Sequence, residues 1–168
     1  PFSGIEQLCW SPDSRFIAYS CRKLTGKKYA FSTNTEIYIY NVTTGECGMI
    51  DKGSQKMDGY DTDPVWSPDG NSLAWISMER DGYEADRQRL MVACVDWSTV
   101  KEDGSGLPSV KHPETIDFKY NVTAPVWSDD SQDIYFSALA EGIQGIYKCH
   151  YGKNGEGCWE RVTGEDMW

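Results

Sequence analysis

The feature that most constrains the fold is a short motif that occurs three times in the chain. The copies are Trp10-Ser11-Pro12-Asp13-Ser14, Trp66-Ser67-Pro68-Asp69-Gly70 and Trp127-Ser128-Asp129-Asp130-Ser131. They start 56 and 61 residues apart, and each is followed by an apolar run that also repeats. A repeat of this length indicates that one structural unit is stacked several times, as in solenoids and propellers.

Each copy of the motif predicts a tight turn between two β-strands. Proline sets its φ to about −65°, aspartate hydrogen-bonds the nearby backbone, and glycine adopts a positive φ. A tryptophan before the turn and an apolar run after it are typical of a β-hairpin. The apolar runs after the three turns are Phe16–Ser20, Leu73–Ser77 and Ile134–Ser137.

A third strand is predicted in each repeat from a second apolar run beyond a variable loop. These runs are Ile37–Asn41, Leu90–Asp96 and Ile146–Cys149. A weaker fourth strand precedes the next copy of the motif. Four antiparallel strands in about 40–60 residues form one blade of a β-propeller. The sequence therefore predicts an all-β fold, a partial β-propeller with about three four-stranded antiparallel blades.

The repeat spacing sets the expected limits of the blades. We expect blade one at about 1–56, blade two at about 57–120, blade three at about 121–163 and the start of a fourth at 164–168. Because propellers close with about 4–8 blades, three blades do not close a ring. The chain is therefore expected to be a fragment or to close through oligomerisation, and we favour the fragment. Exposed blade edges also permit self-association.

The charge and composition of the chain argue against some partners. The 16 Lys and Arg against 26 Asp and Glu give a net charge of −10, whereas nucleic acids and anionic membranes attract clustered basic residues. No apolar run approaches the ~18–20 residues of a membrane-spanning helix, so no membrane insertion is expected. The six cysteines include no Cys-x-x-Cys pair, and no metal or cofactor is expected. A disulfide across the glycine-rich turn between Cys149 and Cys158 remains open.

The repeats and one loop resemble known proteins. The Trp-Ser-Pro-Asp-Gly copies resemble the TolB-type (PD40) propeller repeat. The segment Ser77–Asp86, preceded by Gly59–Pro64, is similar to the propeller of prolyl oligopeptidase-family serine peptidases, in their dipeptidyl-peptidase and acylaminoacyl-peptidase branch. Arg22–Lys27 and Ser32–Tyr38 fit the same branch. The resemblance covers essentially the whole chain.

The resemblance implies that this propeller works beside a second domain. In that family an N-terminal propeller caps a C-terminal α/β-hydrolase domain that carries a Ser-Asp-His triad. This chain has no Gly-x-Ser-x-Gly motif, and His112 and His150 lie in turn-rich segments without triad partners. We therefore expect no catalytic residue here, and the expected partners are the hydrolase domain of the parent chain and a peptide substrate. A periplasmic or secreted protein is favoured, and a cytoplasmic one remains open.

The expected strand order places the long loops together on one face of the propeller. The Ser-Pro-Asp turns and the turns between strands three and four share the other face. The long loops are Ser20–Glu36, Ser77–Arg89 and Met57–Pro64, and long loops are where function concentrates. The charged loop after the second motif is the strongest candidate site. Its candidate substrate-binding residues are Glu79, Arg80, Asp81, Tyr83 and Glu84.

The resemblance also implies a role for the acidic residues of this loop. In dipeptidyl peptidases, propeller carboxylates hold the N-terminal ammonium of the substrate. Tyr83-Glu84 is similar to the Tyr-Glu-Glu motif of dipeptidyl peptidase IV, with Ala85 in place of the second Glu. We hypothesise that Glu79 and Glu84 bind the amine, because carboxylates form short, strong hydrogen bonds to ammonium groups. The alternative is a loop that is held together by its own ion pairs.

Three aspartates precede the second motif. Asp58, Asp61 and Asp63 do not have the spacing of an EF-hand loop, which also needs a distal glutamate. We therefore interpret them as turn-forming residues in the loop that leads into blade two.

Two functions compete at this point. The first is the non-catalytic propeller portion of a serine exopeptidase of the dipeptidyl-peptidase type, which gates and helps to position peptide substrates for the missing α/β-hydrolase domain. The alternative is a TolB-like propeller that acts as a protein–protein binding module. A downstream Gly-x-Ser-x-Gly motif beyond Trp168 would decide for the first. A propeller that handles carbohydrate is a weaker third interpretation of the aromatic content.

Overall fold

The computed structural model describes residues 7–53, 57–151 and 159–164. These residues form three four-stranded sheets whose neighbouring strands are antiparallel. The first sheet contains β1 (Leu8–Trp10), β2 (Phe16–Cys21), β3 (Glu36–Asn41) and β4 (Cys47–Met49). The second contains β5 (Asp61–Trp66), β6 (Ser72–Ser77), β7 (Arg89–Asp96) and β8 (Ser109–Thr115). The third contains β9 (Thr123–Trp127), β10 (Asp133–Ala140), β11 (Ile143–His150) and β12 (Trp159–Arg161).

Two helical elements lie wholly within the described residues, and both are short. One is α1 (Lys27–Phe31), and the other is a 3-10 turn at Trp97–Thr99. No helix in the described part of the chain is long and apolar enough to cross a membrane. The prediction of an all-β partial propeller with three four-stranded antiparallel blades is confirmed.

The repeated motif builds the same hydrogen-bonded turn in all three blades. In blade one, Ser11 Oγ donates to Asp13 Oδ1 over 2.6 Å and accepts from the backbone N–H of Phe16 over 3.0 Å. The corresponding distances are 2.6 and 2.9 Å in both later copies. The fifth residue of each copy has a positive φ, which is 59° at Ser14, 73° at Gly70 and 61° at Ser131. One side-chain pair thus closes each hairpin, because serine bridges the aspartate and the returning strand.

Side chains that alternate along the strands form a core between each pair of neighbouring blades. The core between blades one and two includes Phe16, Ala18, Ile37, Ile39, Leu73, Trp75, Met91 and Ala93. The core between blades two and three includes Ala74, Ile76, Leu90, Val92, Ile134, Phe136 and Tyr147. Adjacent residues of a strand point to opposite faces. The middle sheet is therefore buried on both faces.

The outer faces of the first and third sheets carry exposed apolar side chains. On blade one, β1 and β4 expose Leu8, Trp10 and Met49, and on blade three, β9, β10 and β11 expose Val126, Leu139 and Ile146. In a propeller such faces pack against neighbouring blades.

The connections between strands separate into two groups by position. The three motif turns lie at one end of the sheets, together with the β3–β4 turn. The β2–β3 and β6–β7 loops lie at the opposite end with the connections between blades, as the sequence predicts. In blade three the β10–β11 connection is only Glu141-Gly142, whose φ values of 54° and 83° suit a type I′ turn. The Cys149–Cys158 disulfide and the end of the chain at 165–168 involve residues outside the described ranges.

Candidate functional site

The candidate site is the place where the β6–β7 loop of blade two touches the β2–β3 loop of blade one. Asp81 Oδ1 accepts hydrogen bonds from Ser32 Oγ over 2.8 Å, from Thr33 N–H over 2.7 Å and from Asn34 N–H over 3.1 Å. Gly82 N–H donates to Thr33 Oγ1 over 2.9 Å. Burial by itself raises the pKa of Asp81, but these hydrogen bonds outweigh it and lower the pKa below its ordinary value. Asp81 therefore stays ionised while it holds the neighbouring loop.

A second aspartate, Asp86, organises the interior of the β6–β7 loop. Asp86 Oδ2 accepts from the backbone N–H groups of Glu79 and Arg80 over 3.0 Å each. Its Oδ1 accepts from Arg87 N–H over 2.8 Å and lies 3.3 Å from Arg80 Nη2. Burial raises the pKa of Asp86, but the bonds from Arg80 and the backbone outweigh it, and the net shift is downward. One buried carboxylate thus ties both ends of the loop together.

Two of the candidate residues have partners inside the loop. Glu79 Oε2 pairs with Arg89 Nη2 over 3.0 Å, although the Glu79 side chain remains 55% exposed. The Arg80 guanidinium lies 4.0 Å from the centre of the Tyr83 ring, a cation–π distance, and also pairs with Asp86. The alternative of a loop that is held by its own ion pairs therefore describes these two residues well.

The remaining candidates, Tyr83 and Glu84, project from the loop. Tyr83 is 47% exposed, and Glu84 is exposed. Among the hydrogen bonds and ion pairs of the described residues, Glu84 takes part in none. Gly82, with φ of 74°, and the Asp86 N–H, which donates to Tyr83 O over 3.1 Å, bracket this projecting segment. Glu84 is therefore the acidic side chain of this loop that has no hydrogen-bond or ion-pair partner among the described residues.

A buried charged cluster joins blades one and two beside these loops. Lys52 Nζ lies 2.8 Å from Glu36 Oε2 and 2.9 Å from Asp61 Oδ2. Asp61 is fully buried and accepts a hydrogen bond from Ser77 Oγ. Burial raises the pKa of Asp61 to about 7, and the Glu36 carboxylate acts in the same direction against Lys52 and Ser77.

The structure corrects the interpretation of Asp61 as a turn-forming residue. Asp61 is the first residue of β5, and it pairs with Ser77 in the register of the sheet. The spacing of the aspartates gave no sign of this, because its partner Lys52 comes from the preceding connection and Glu36 from another blade. Within the described ranges, no group of three or more His, Cys, Asp or Glu side chains is arranged to hold a metal ion.

Comparisons with known proteins identify the propeller. No protein-family model matches the chain. The chain is 49% identical over 148 residues to dipeptidyl-peptidase 5 of Porphyromonas gingivalis, and the match covers 88% of this chain and 20% of the relative. The chain belongs to the dipeptidyl-peptidase 5 branch of the prolyl oligopeptidase family. It is thus peptidase-associated propeller sequence that spans about one fifth of the length of that relative.

Two further comparisons agree with this assignment. Dipeptidyl-peptidase 5 of Porphyromonas endodontalis is 48% identical over 92 residues, which cover 55% of this chain and 13% of the relative. Among solved structures, TolB from Acinetobacter baumannii matches 95% of this chain and 32% of its own chain, with a TM-score of 0.55 and 19% identity. At that identity the TolB match establishes the propeller fold alone.

Proposed function

We propose that this chain is the part of a dipeptidyl-peptidase propeller that gates and positions peptide substrates for an α/β-hydrolase domain of the same protein. The names and lengths of the relatives support this proposal, since the chain matches only one fifth of the Porphyromonas gingivalis enzyme. The repeats at about 1–56, 57–120 and 121–163 are then three blades of that propeller. The parent protein is proposed to be periplasmic or secreted.

The observation that carries the proposal is the uncompensated carboxylate of Glu84 on the face of the long loops. An ammonium group that approaches the β6–β7 loop meets the exposed Glu84 carboxylate, which has no hydrogen-bond or ion-pair partner among the described residues. Charge-assisted hydrogen bonds between a carboxylate and an ammonium are short and roughly twice as strong as neutral ones. Glu84 is therefore the residue proposed to bind the N-terminal amine of the peptide.

The other candidate residues take supporting parts in this proposal. Glu79 is half-exposed but paired with Arg89, so its charge is offset and it adds little attraction for the amine. Arg80 holds the half-exposed Tyr83 ring from one side. Asp81 is not proposed as a ligand of the amine, because its Oδ1 is already engaged by three donors from blade one.

The test is the steady-state kinetics of the full-length enzyme with Glu84→Gln. Glutamine keeps the shape and removes the charge, and we expect KM for peptides with a free N-terminus to rise about ten-fold with little change in kcat. An N-acetylated version of the same peptide, which has no ammonium group, serves as the control. Its KM should be equally high for the wild-type and the Glu84→Gln enzymes. An unchanged KM for the free-amine peptide would reject the proposed role of Glu84.

A second candidate function is docking of a protein partner by the same face. It is favoured by Phe31 of α1, in the loop between β2 and β3, which is 82% exposed. If the gene encodes no nucleophile motif after the propeller, the docking function is preferred. If it does, the peptidase function stands.

A further inference from the structure

The β2–β3 loop of blade one is held by blade two at successive positions. Asp81 binds residues 32–34 through one carboxylate oxygen. Thr35 Oγ1 donates to Asp61 O over 2.8 Å, and Glu36 pairs with Lys52, which also pairs with Asp61. Residues 32–35 of blade one are therefore attached to two aspartates of blade two, and Glu36 is linked to Asp61 through Lys52.

The projecting part of the β6–β7 loop lies between two fixed points. On one side, Asp81 and Gly82 are bonded to blade one. On the other side, Asp86 is bonded to the backbone of its own loop. The short segment between them carries Tyr83 and Glu84. Because a segment of three residues has little freedom when both ends are fixed, the position of Glu84 depends on the Asp81 contact.

We propose that Asp81 is a positioning residue: by binding the β2–β3 loop of blade one, it fixes the place at which Glu84 meets the substrate. This inference rests on the proposed function, but the contact itself can be tested separately. Asp81 acts through Glu84 and makes no bond to the substrate. Loss of the contact then weakens substrate binding and leaves the chemical step in the hydrolase domain unaffected.

The experiment uses the full-length enzyme with Asp81→Ala, Asp81→Asn and both changes combined with Glu84→Gln. Asparagine keeps the Oδ1 acceptor, so it should restore most of what alanine loses. Asp117→Ala is the matched control, since it removes an exposed carboxylate from the connection between blades two and three. Hydrogen–deuterium exchange of peptides that cover 32–36 and 79–86 reports on the contact independently of activity.

We expect Asp81→Ala to raise exchange in both peptides and to raise KM about ten-fold with kcat within about two-fold, because a displaced binding group costs affinity. In the Glu84→Gln background the same change should add nothing further to KM. Unchanged exchange in Asp81→Ala would overturn the contact between the loops. Equal effects on KM in both backgrounds would overturn the action through Glu84, whereas a Glu84→Gln enzyme with normal KM would overturn the proposed function instead.

Discussion

At the scale of single residues, the serine of the repeated turn makes two hydrogen bonds with one hydroxyl group. The Ser67 hydroxyl donates to Asp69 and accepts from the backbone N–H of Ser72, and its residue is buried. Both partners are within five residues, so the arrangement forms as soon as the hairpin closes. The turn can therefore be predicted from the motif alone, before any tertiary contact is known.

The first prediction concerns this serine. Ser67→Ala should destabilise the protein by about 1–3 kcal/mol, because the half-buried N–H of Ser72 on the returning strand loses its partner. The melting temperature of the full-length protein measures the effect. Asp129→Ala changes the third turn at a position whose side chain is exposed, and it should have a much smaller effect. Equal losses in both variants would contradict the role assigned to the serine hydroxyl.

The second prediction concerns the pH dependence that Asp61 introduces. Its pKa is raised from 3.8 to about 7 in the folded protein, so the folded state holds a proton that the unfolded state releases between these values. Stability should therefore fall as pH rises through that window. Asp61→Asn removes the titrating group, and the melting temperature of this variant should depend less steeply on pH from 4.5 to 7, a window chosen to lie between those two pKa values.

Comparison at each pH separates Asp61 from the other titrating groups. Those groups are common to both proteins, and only the difference in slope is assigned to Asp61. Parallel curves for the wild type and Asp61→Asn would show that burial does not raise the pKa of this carboxyl. Below pH 4, outside the window between the two pKa values, the melting temperatures of the two proteins should depend on pH in the same way.

At the scale of elements, the β6–β7 loop is a self-supporting unit. Asp86 satisfies three backbone N–H groups and faces Arg80 and Arg89 with its side chain 5% exposed. A loop of this length without regular secondary structure would otherwise be held by few contacts. Alternating acids and bases in the sequence indicate internal ion pairs, but they do not single out Asp86 as the central acceptor.

The third prediction follows from that arrangement. Asp86→Ala should loosen the whole loop, because several donors lose their acceptor together. Limited digestion with trypsin reports on this directly, since Arg80, Arg87 and Arg89 lie in the loop or at its end. We expect cleavage at these sites to become at least about ten-fold faster, as local opening governs proteolysis. Asp117→Ala is the control, and an equal increase there would point to a general loss of stability.

At the scale of the whole molecule, each blade depends on its neighbour. The middle sheet is buried on both faces, and polar side chains cross between blades as well. Asn41 Nδ2 donates to Gly104 O over 2.8 Å and to Gly106 O over 3.1 Å. The same side chain accepts from the N–H groups of Thr43 and Thr44 through Oδ1. Asn41 therefore joins the β3–β4 turn of blade one to the β7–β8 loop of blade two.

The fourth prediction tests this junction. Asn41→Ala should destabilise the protein by about 1–3 kcal/mol, since the buried Asn41 side chain loses four half-buried hydrogen bonds. Hydrogen–deuterium exchange should increase both around 41–46 and around 104–106 if the two segments are coupled. An increase confined to 41–46 would show that Asn41 only closes its own turn.

The sequence by itself determined that the repeating unit is a four-stranded antiparallel blade. The turn motif, the apolar runs and the strand order depend on contacts between residues two to five positions apart or on a period of two along a strand, and such local patterns are visible in the chain. The position of the β6–β7 loop at the end of the sheets opposite the motif turns also followed from strand order, whereas the partners of its charged side chains did not.

Only the tertiary structure decided the partners of the charged side chains. Asp81 reaches Ser32, 49 positions away, and Asp61 meets Lys52 and Glu36 in a buried cluster between blades. These pairs exist because stacking the blades brings two loops together at one end of the sheets. No local preference encodes that approach, so the free carboxylate of Glu84 emerges only when the partners of its neighbours are known.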